Sequence, residues 1–447
     1  MDMDKFFNQL LPYWIRKRLL SKFNDRGVSK YISNAGWLFT ARATTLATSF
    51  LTIAVVARYL GPENLGKLSY AQSIVAIFSV IAALGIDQIV FRELIKRPNE
   101  QNLILGTAII AKLGAGAVAL FISISTSLFL NNEPIITLMI GIMSFTFILN
   151  PIGIIGLLFE SKAQSKYSAQ IKIVLAFLLP ALKLLLVLLD QGILYFAALM
   201  VLESLFSISY TLFIYKKYFS KLNNKFYASK HQIILLLHDS WPLLFAGIST
   251  YLYNKMDQIM LLHFLDATAV GLYSVVVQLR EVIIIIPGVL LGSVLPALVS
   301  AGKHNRIEYY TRLRYISIAI LSIVSFLSLI IYVTGSKIIL YLFGSDYAGS
   351  TEILNVFIWT AITSVAVQLI RHYLVIENKV IIYFFSTLVG IISNILLNLW
   401  LIPIYGARGA ALATLLTFCT VLLTFGCFKT IRLGILMTIF PNKLPNN

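Results

Sequence analysis

Apolar residues fall in blocks of about twenty along most of the chain, and polar residues collect in the short stretches between them. A block of that length matches the hydrocarbon thickness of a bilayer, because a helix rises about 1.5 Å per residue. The pattern predicts twelve spans, near 34–58, 68–86, 104–130, 135–158, 171–189, 192–214, 241–263, 270–298, 315–334, 353–376, 380–402 and 408–428. Before the seventh span, Asp239 and Pro242 mark a break, so 233–241 either continues that span or lies in the interface ahead of it. Within several blocks the polar residues keep a helical period. Arg42, Thr45, Ser49 and Thr52 share one face of the first span, and Thr250, Asn254 and Asp257 one face of the seventh. Ser274, Gln278 and Glu281 do so on the eighth, beside Arg280, and Thr360, Ser364, Gln368 and Arg371 on the tenth.

Composition agrees with a bilayer as solvent: 58% of residues are apolar and 12% charged, against about 25% charged in a soluble domain. The net charge of +17 would suit nucleic acid, but its placement argues for a membrane instead. Basic residues crowd into alternate connections: Arg92, Lys96 and Arg97, then Lys162 and Lys166, then Lys216, Lys217, Lys221, Lys225 and Lys230. The same side carries Lys303, Arg306, Arg312, Arg314, Lys379 and both chain ends, whereas the opposite connections hold Lys67, Lys337 and Arg408. By the positive-inside rule both termini are expected in the cytoplasm. Residues 1–33 mix Phe6, Phe7, Leu10, Leu11 and Trp14 with Arg16, Lys17 and Arg18. They read as a basic interfacial segment on anionic lipid, with no small-residue cleavage site of a signal peptide. Cys419 and Cys427 lie in the last span and read as packing residues.

Two stretches align without gaps at an offset of 205 residues, Tyr59–Ser69 and Phe264–Ser274, with Leu60/Leu265, Gly66/Gly271 and Ser69/Ser274 in register. Each is a short turn between spans, and six spans separate them. The expected fold class is therefore an all-α polytopic membrane protein of about twelve helices in two pseudo-symmetric six-helix bundles around a central cleft. The expected organisation is the interfacial segment 1–33, an N-terminal half 34–215, a cytoplasmic linker 216–232, a C-terminal half 233–428 and a cytoplasmic tail 429–447.

Charges at membrane depth carry the functional expectation. They are Arg42, Lys112, Lys183, Lys255 and Arg280, with Glu203, Asp257 and Glu281. Each costs about 2.5–3.5 kcal/mol if it faces lipid, so together they would exceed the whole stability of a typical domain, about 5–15 kcal/mol. They must face a polar interior or one another. Arg42 and Arg280 are candidate ligands for an anionic substrate group, because a guanidinium stays charged when desolvated and matches phosphate. Lys112, Lys183, Thr45, Ser49 and Gln278 join them as substrate-binding candidates. Asp257, Glu281, Glu203 and Lys255 are candidates for ion coupling or for ion pairs. Bland readings stand beside these: Arg280 or Lys255 paired with Asp257 or Glu281, and Lys112 and Lys183 snorkelling to the interface.

No GxxxxGK[ST] or HExxH motif occurs, and the five histidines are scattered. No cofactor, metal site or enzymatic activity is expected. Gly114-Ala115-Gly116-Ala117 resembles a helix-packing surface. A membrane-embedded polysaccharide polymerase and a small-molecule exporter on the same fold are the alternatives. The first is disfavoured by the short external connections, and the second by the cationic interior.

Four stretches resemble the polysaccharide flippase family that includes the O-antigen flippases. They are Ala57-Arg58-Tyr59-Leu60-Gly61-Pro62-Glu63-Asn64-Leu65-Gly66 with Ser69-Tyr70-Ala71-Gln72; Ser240-Trp241-Pro242-Leu243-Leu244 with Asp257-Gln258-Ile259-Met260-Leu261 and Val270-Gly271-Leu272-Tyr273-Ser274; Leu342-Phe343-Gly344-Ser345-Asp346-Tyr347; and Ile402-Pro403-Ile404-Tyr405-Gly406-Ala407-Arg408-Gly409-Ala410-Ala411. The resemblance implies a fold like that of multidrug and toxin extrusion transporters and lipid II flippases. It implies a substrate, an oligosaccharide on undecaprenyl pyrophosphate moved across the bacterial inner membrane, and arginines on the first and eighth spans that match Arg42 and Arg280 by position. The partners expected with it are that lipid-linked oligosaccharide, membrane lipids, a polysaccharide polymerase and a chain-length regulator, with no nucleic acid.

Overall fold

The computed structural model describes residues 26–162, 164–219, 226–304, 306–377 and 379–428. Most of the basic segment expected over 1–33, part of the linker and the whole tail 429–447 lie outside these residues. The described residues form helices and no strand. They run as α1 (Arg26–Ala83), α2 (Asp87–Lys96), α3 (Gln101–Phe129), α4 (Pro134–Ser144), α5 (Thr146–Leu149), α6 (Gly156–Ser161), α7 (Lys166–Leu188) and α8 (Ile193–Tyr218). After the linker come α9 (Lys230–Phe264), α10 (Ala267–His304), α11 (Arg306–Phe343), α12 (Ser350–Phe357), α13 (Thr360–Ile376), α14 (Val380–Tyr405) and α15 (Ala407–Cys427).

Eleven helical stretches among the described residues are long and apolar enough to cross a membrane. Twelve spans were expected. The difference lies in α1, whose two spans run on with only Gly61 out of helical geometry, at φ 70° and ψ 169°. Glycine reaches that backbone conformation without Cβ strain, and Pro62 follows at the start of the next turn. The fourth expected span is interrupted instead. Pro151 opens a 3₁₀ stretch, Asn150–Ile155, between α5 and α6. The break expected at Pro242 is absent: α9 passes through it, so 233–241 continues the seventh span. Proline is tolerated in long membrane helices where neighbours re-satisfy the freed carbonyl. α2 was not anticipated, being ten residues whose buried side are Ile89, Val90 and Leu94.

Large apolar side chains stand exposed on many helices, among them Leu51, Phe121, Phe129, Leu188, Val333, Trp400 and Leu423. Apolar surface on that scale needs lipid around it, and the chain is a multi-pass membrane protein.

The described chain divides into two compact units. The first is 1–52, 81–124 and 141–244; the second is 53–80, 125–140 and 245–447. In the first unit α2 packs its apolar side into a cluster with Ile104, Leu105, Ile154, Leu158, Phe159, Ile214 and Leu236. Gly116 lies against the carbonyl of Phe147, so close that a Cβ would strike it. The small-residue surface read in the sequence therefore packs helix on helix. In the second unit the two repeated turns meet. A Cβ on Gly66 would strike the carbonyl of Ala267, and one on Gly271 the carbonyl of Pro62. The contact is reciprocal. Lys67 bridges Glu63 and Glu133 at 2.8 Å each beside it, and Tyr347 donates to the carbonyl of Ala57 at 2.9 Å. Both cysteines are free; Cys419 is half-buried, but Cys427 is exposed rather than packed.

Candidate functional site

The second unit holds a cavity of about 540 Å³ lined from α9, α10, α12, α13, α14 and α15. Three of the polar stripes read in the sequence supply its walls. Asn254 and Asp257 come from α9, Gln278 and Glu281 from α10, and Ser364, Gln368 and Arg371 from α13. Helical spacing explains the convergence: residues three and four apart share a face, and each helix turns that face inward. Lys255 and Arg280 line the same cavity. Thr250 of the α9 stripe has its side chain outside the described set.

Arg280 is only 5% exposed. Its guanidinium sits 5.4 Å from the ring centres of both Phe357 and Phe418, and 3.6 Å from the Glu281 carboxylate. The rings attract the cation through their quadrupoles and hold its plane. Lys255 lies in the field of the same Glu281. Both readings of Arg280 thus have a physical basis, an ion pair with Glu281 and a fixed cation on a cavity wall.

Asp257 is buried at the cavity edge and accepts from Tyr273 Oη at 2.7 Å, Thr414 Oγ1 at 2.5 Å, Asn398 Nδ2 at 2.7 Å and Asn394 Nδ2 at 3.3 Å. No basic residue is its partner among these. Burying a carboxylate demands such compensation. Asn398 Oδ1, also buried, has no hydrogen-bond partner among the described residues. Carboxylate, amide and hydroxyl oxygens are hard donors, suited to a proton or a small alkali cation. No group of three His, Cys, Asp or Glu residues occurs among the described residues.

The remaining candidates belong to the first unit. Lys112, 8% exposed, pairs with Asp87 at the start of α2. Lys183 on α7 and Glu203 on α8 act on each other electrostatically. Arg42 is exposed and has no ion pair among the described residues. Thr45 donates its hydroxyl to its own helix, at the carbonyl of Ala41, 2.9 Å away, and Ser49 is exposed.

Sequence reasoning passed over several groups. Arg371 stood in a polar stripe but was not among the candidate ligands. Asn394 and Asn398 were missed, although two asparagines four residues apart in an apolar span are a readable signal. Tyr273 stood in a stretch that carries the family resemblance but was given no role, and Phe357, Phe418 and Thr414 carry no sequence signal of their own, since each matters only through its contact.

Many helices long and apolar enough to cross a membrane, with a polar, charge-lined cavity in the second unit, define a polytopic α-helical membrane fold. Solved structures agree. The lipid II flippase MurJ in an inward closed conformation superposes with a TM-score of 0.68 at 15% identity, covering 93% of this chain and 94% of that one. An inward-facing multidrug resistance MATE family transporter of the MOP superfamily gives 0.68 at 12% identity, covering 90% and 96%. At these identities the likeness speaks for the fold. Residues 31–302 match the model of the polysaccharide biosynthesis protein family, and the chain belongs to that family. Among curated proteins, the Lsg locus putative protein 1 of Haemophilus influenzae is 20% identical over 349 residues, 74% of this chain and 81% of its own. The probable flippase AglR of Haloferax volcanii is 25% identical over 187 residues, 40% of this chain and 37% of its own.

Proposed function

We propose that this protein is a flippase that carries an undecaprenyl-pyrophosphate-linked oligosaccharide, an O-antigen or similar surface polysaccharide unit, from the cytoplasmic to the outer leaflet of the bacterial inner membrane. The observation that carries the reading is the cavity at membrane depth, lined by Lys255, Arg280 and Arg371, in a chain of a polysaccharide biosynthesis family. A relative named a probable flippase and a lipid II flippase of like fold support it.

Sugar hydroxyls lose their hydrogen bonds in hydrocarbon, at about 4–8 kcal/mol per group in an alkane. The polar groups of the cavity, Gln278 among them, replace those partners, and Thr45 and Ser49 do so along the first span. Arg42 and Arg280 are the ligands of the pyrophosphate, while the polyprenyl tail stays in lipid. Transport by alternating access follows, the halves 34–215 and 233–428 rocking with both termini in the cytoplasm. Asp257, with its ring of hydroxyl and amide groups, is the group suited to couple the motion to a proton or a sodium ion.

The test is the sidedness of the lipid-linked oligosaccharide in spheroplasts, read with an impermeant glycan-modifying enzyme. Cells with the protein should expose substrate, and cells without it should hold it inside. Full exposure without the protein, in cells lacking a second flippase, ends the proposal.

A further inference from the structure

The acids of the cavity are already engaged. Asp257 is surrounded by four donors, and Glu281 answers Arg280 and Lys255. Arg371 differs from the other cations. It has no ion pair among the described residues, it is half-buried rather than sealed, and it lines the same cavity. Its guanidinium carbon lies 6.0 Å from the ring centre of Tyr383. A charge at membrane depth without a counter-charge is costly. This one is retained where an incoming ligand can reach it.

The surroundings select the ligand. Gln368, one helical turn from Arg371, and Thr387, one turn beyond Tyr383, line the same wall. An amide and hydroxyls suit the hydroxyl groups of a sugar, and an aromatic face takes the apolar face of a pyranose ring. A single guanidinium matches one carboxylate through two parallel hydrogen bonds. A pyrophosphate carries more charge than one such group balances. We propose that Arg371, Tyr383, Gln368 and Thr387 form a subsite for an acidic sugar of the transported glycan, one bearing a carboxylate. This rests on the flippase reading and adds to it the chemistry of one sugar.

Calorimetric titration of the full chain in nanodiscs tests it with three probes: a glucuronate-containing hexasaccharide, a neutral glucose hexasaccharide and inorganic pyrophosphate. Wild type should bind the acidic sugar about tenfold to a hundredfold more tightly than the neutral one, the range of one charge-assisted hydrogen-bond pair. Arg371→Gln should remove that preference and leave pyrophosphate binding unchanged. Arg371→Lys should retain part of it, and an unaltered thermal midpoint in both variants excludes misfolding. Equal binding of acidic and neutral sugars, no binding of the acidic one, or a preference that survives Arg371→Gln overturns the subsite. So does a loss of pyrophosphate binding in Arg371→Gln equal to the loss for the acidic sugar, which would place Arg371 on the phosphate. The spheroplast assay stays separate. Flipping by wild type without an acidic preference sinks the subsite alone, and absence of flipping sinks the flippase reading.

Discussion

The two units treat charge at membrane depth differently. In the first, Lys112 is tied to Asp87 and Lys183 answers Glu203. In the second, Glu281 answers Arg280 and Lys255, yet both stand with Arg371 around an open volume of about 540 Å³, and four neutral donors hold Asp257. A paired charge has spent its field on its partner, and removing one member strands the other. A charge on a cavity wall keeps its field for whatever enters. Equal residue types therefore carry different meanings: Lys112 reads as a helix tie and Arg371 as a ligand. Arg42 departs from the rule of its own unit, since it is exposed and has no ion pair among the described residues.

The comparison can be broken at three points. The largest effect is expected from Asp257→Ala, which strands buried amide and hydroxyl donors at about 1–3 kcal/mol for each one left without an acceptor. Thermal unfolding of the purified protein should show a steep loss. A midpoint unchanged from wild type would mean that water or an ion already satisfies those donors. Next comes the tie in the first unit. Asp87→Ala leaves Lys112 buried without its partner, and Asp87→Ala with Lys112→Met should recover most of the loss. The coupling in a double-mutant cycle should fall at about 0.5–3 kcal/mol. Flipping should survive in the double variant; its loss there would move Lys112 from tie to ligand.

The smallest effect lies at the rim of the second unit. The hydrogen bond and charge of Lys67 hold the Glu63 carboxyl below its ordinary 4.5, and Glu133 and Glu63 raise Lys67 above 10.5. A lowered acid stabilises fully above 4.5 and loses its contribution as pH falls through the lowered value. A raised lysine does so below 10.5 and fades as pH rises through the raised one. The stabilising contribution of Lys67 should therefore be level between those limits and shrink in acid. The difference in thermal midpoint between wild type and Lys67→Met, followed downward from neutral pH, checks it. Because both carboxylates are exposed to water, that difference should be small throughout.

Much of the fold was legible because hydropathy at the length of a bilayer is a strong, local signal. The turns at Tyr59–Ser69 and Phe264–Ser274 were legible because they repeat, and they prove to be in contact. The polar stripes were legible from spacing, and those on α9, α10 and α13 line one cavity. What stayed hidden depends on distant pairs. Nothing local in the sequence joins Lys112 to Asp87, 25 residues away, or sets Phe357 and Phe418 on either side of Arg280. α2 escaped because ten residues with three buried apolar positions look like any polar connection. Pro242 misled because its usual effect in water does not carry over to a long helix among apolar neighbours.

The mutual approach of Gly66 and Gly271 bears on how the gene tolerates change. Each glycine guards the same thin gap from a different copy of the repeated turn. Any replacement of either glycine introduces a side chain into a space occupied by the other turn's backbone. Duplication usually brings redundancy, one copy covering for the other; at this crossing it brings the reverse, two targets for one lesion.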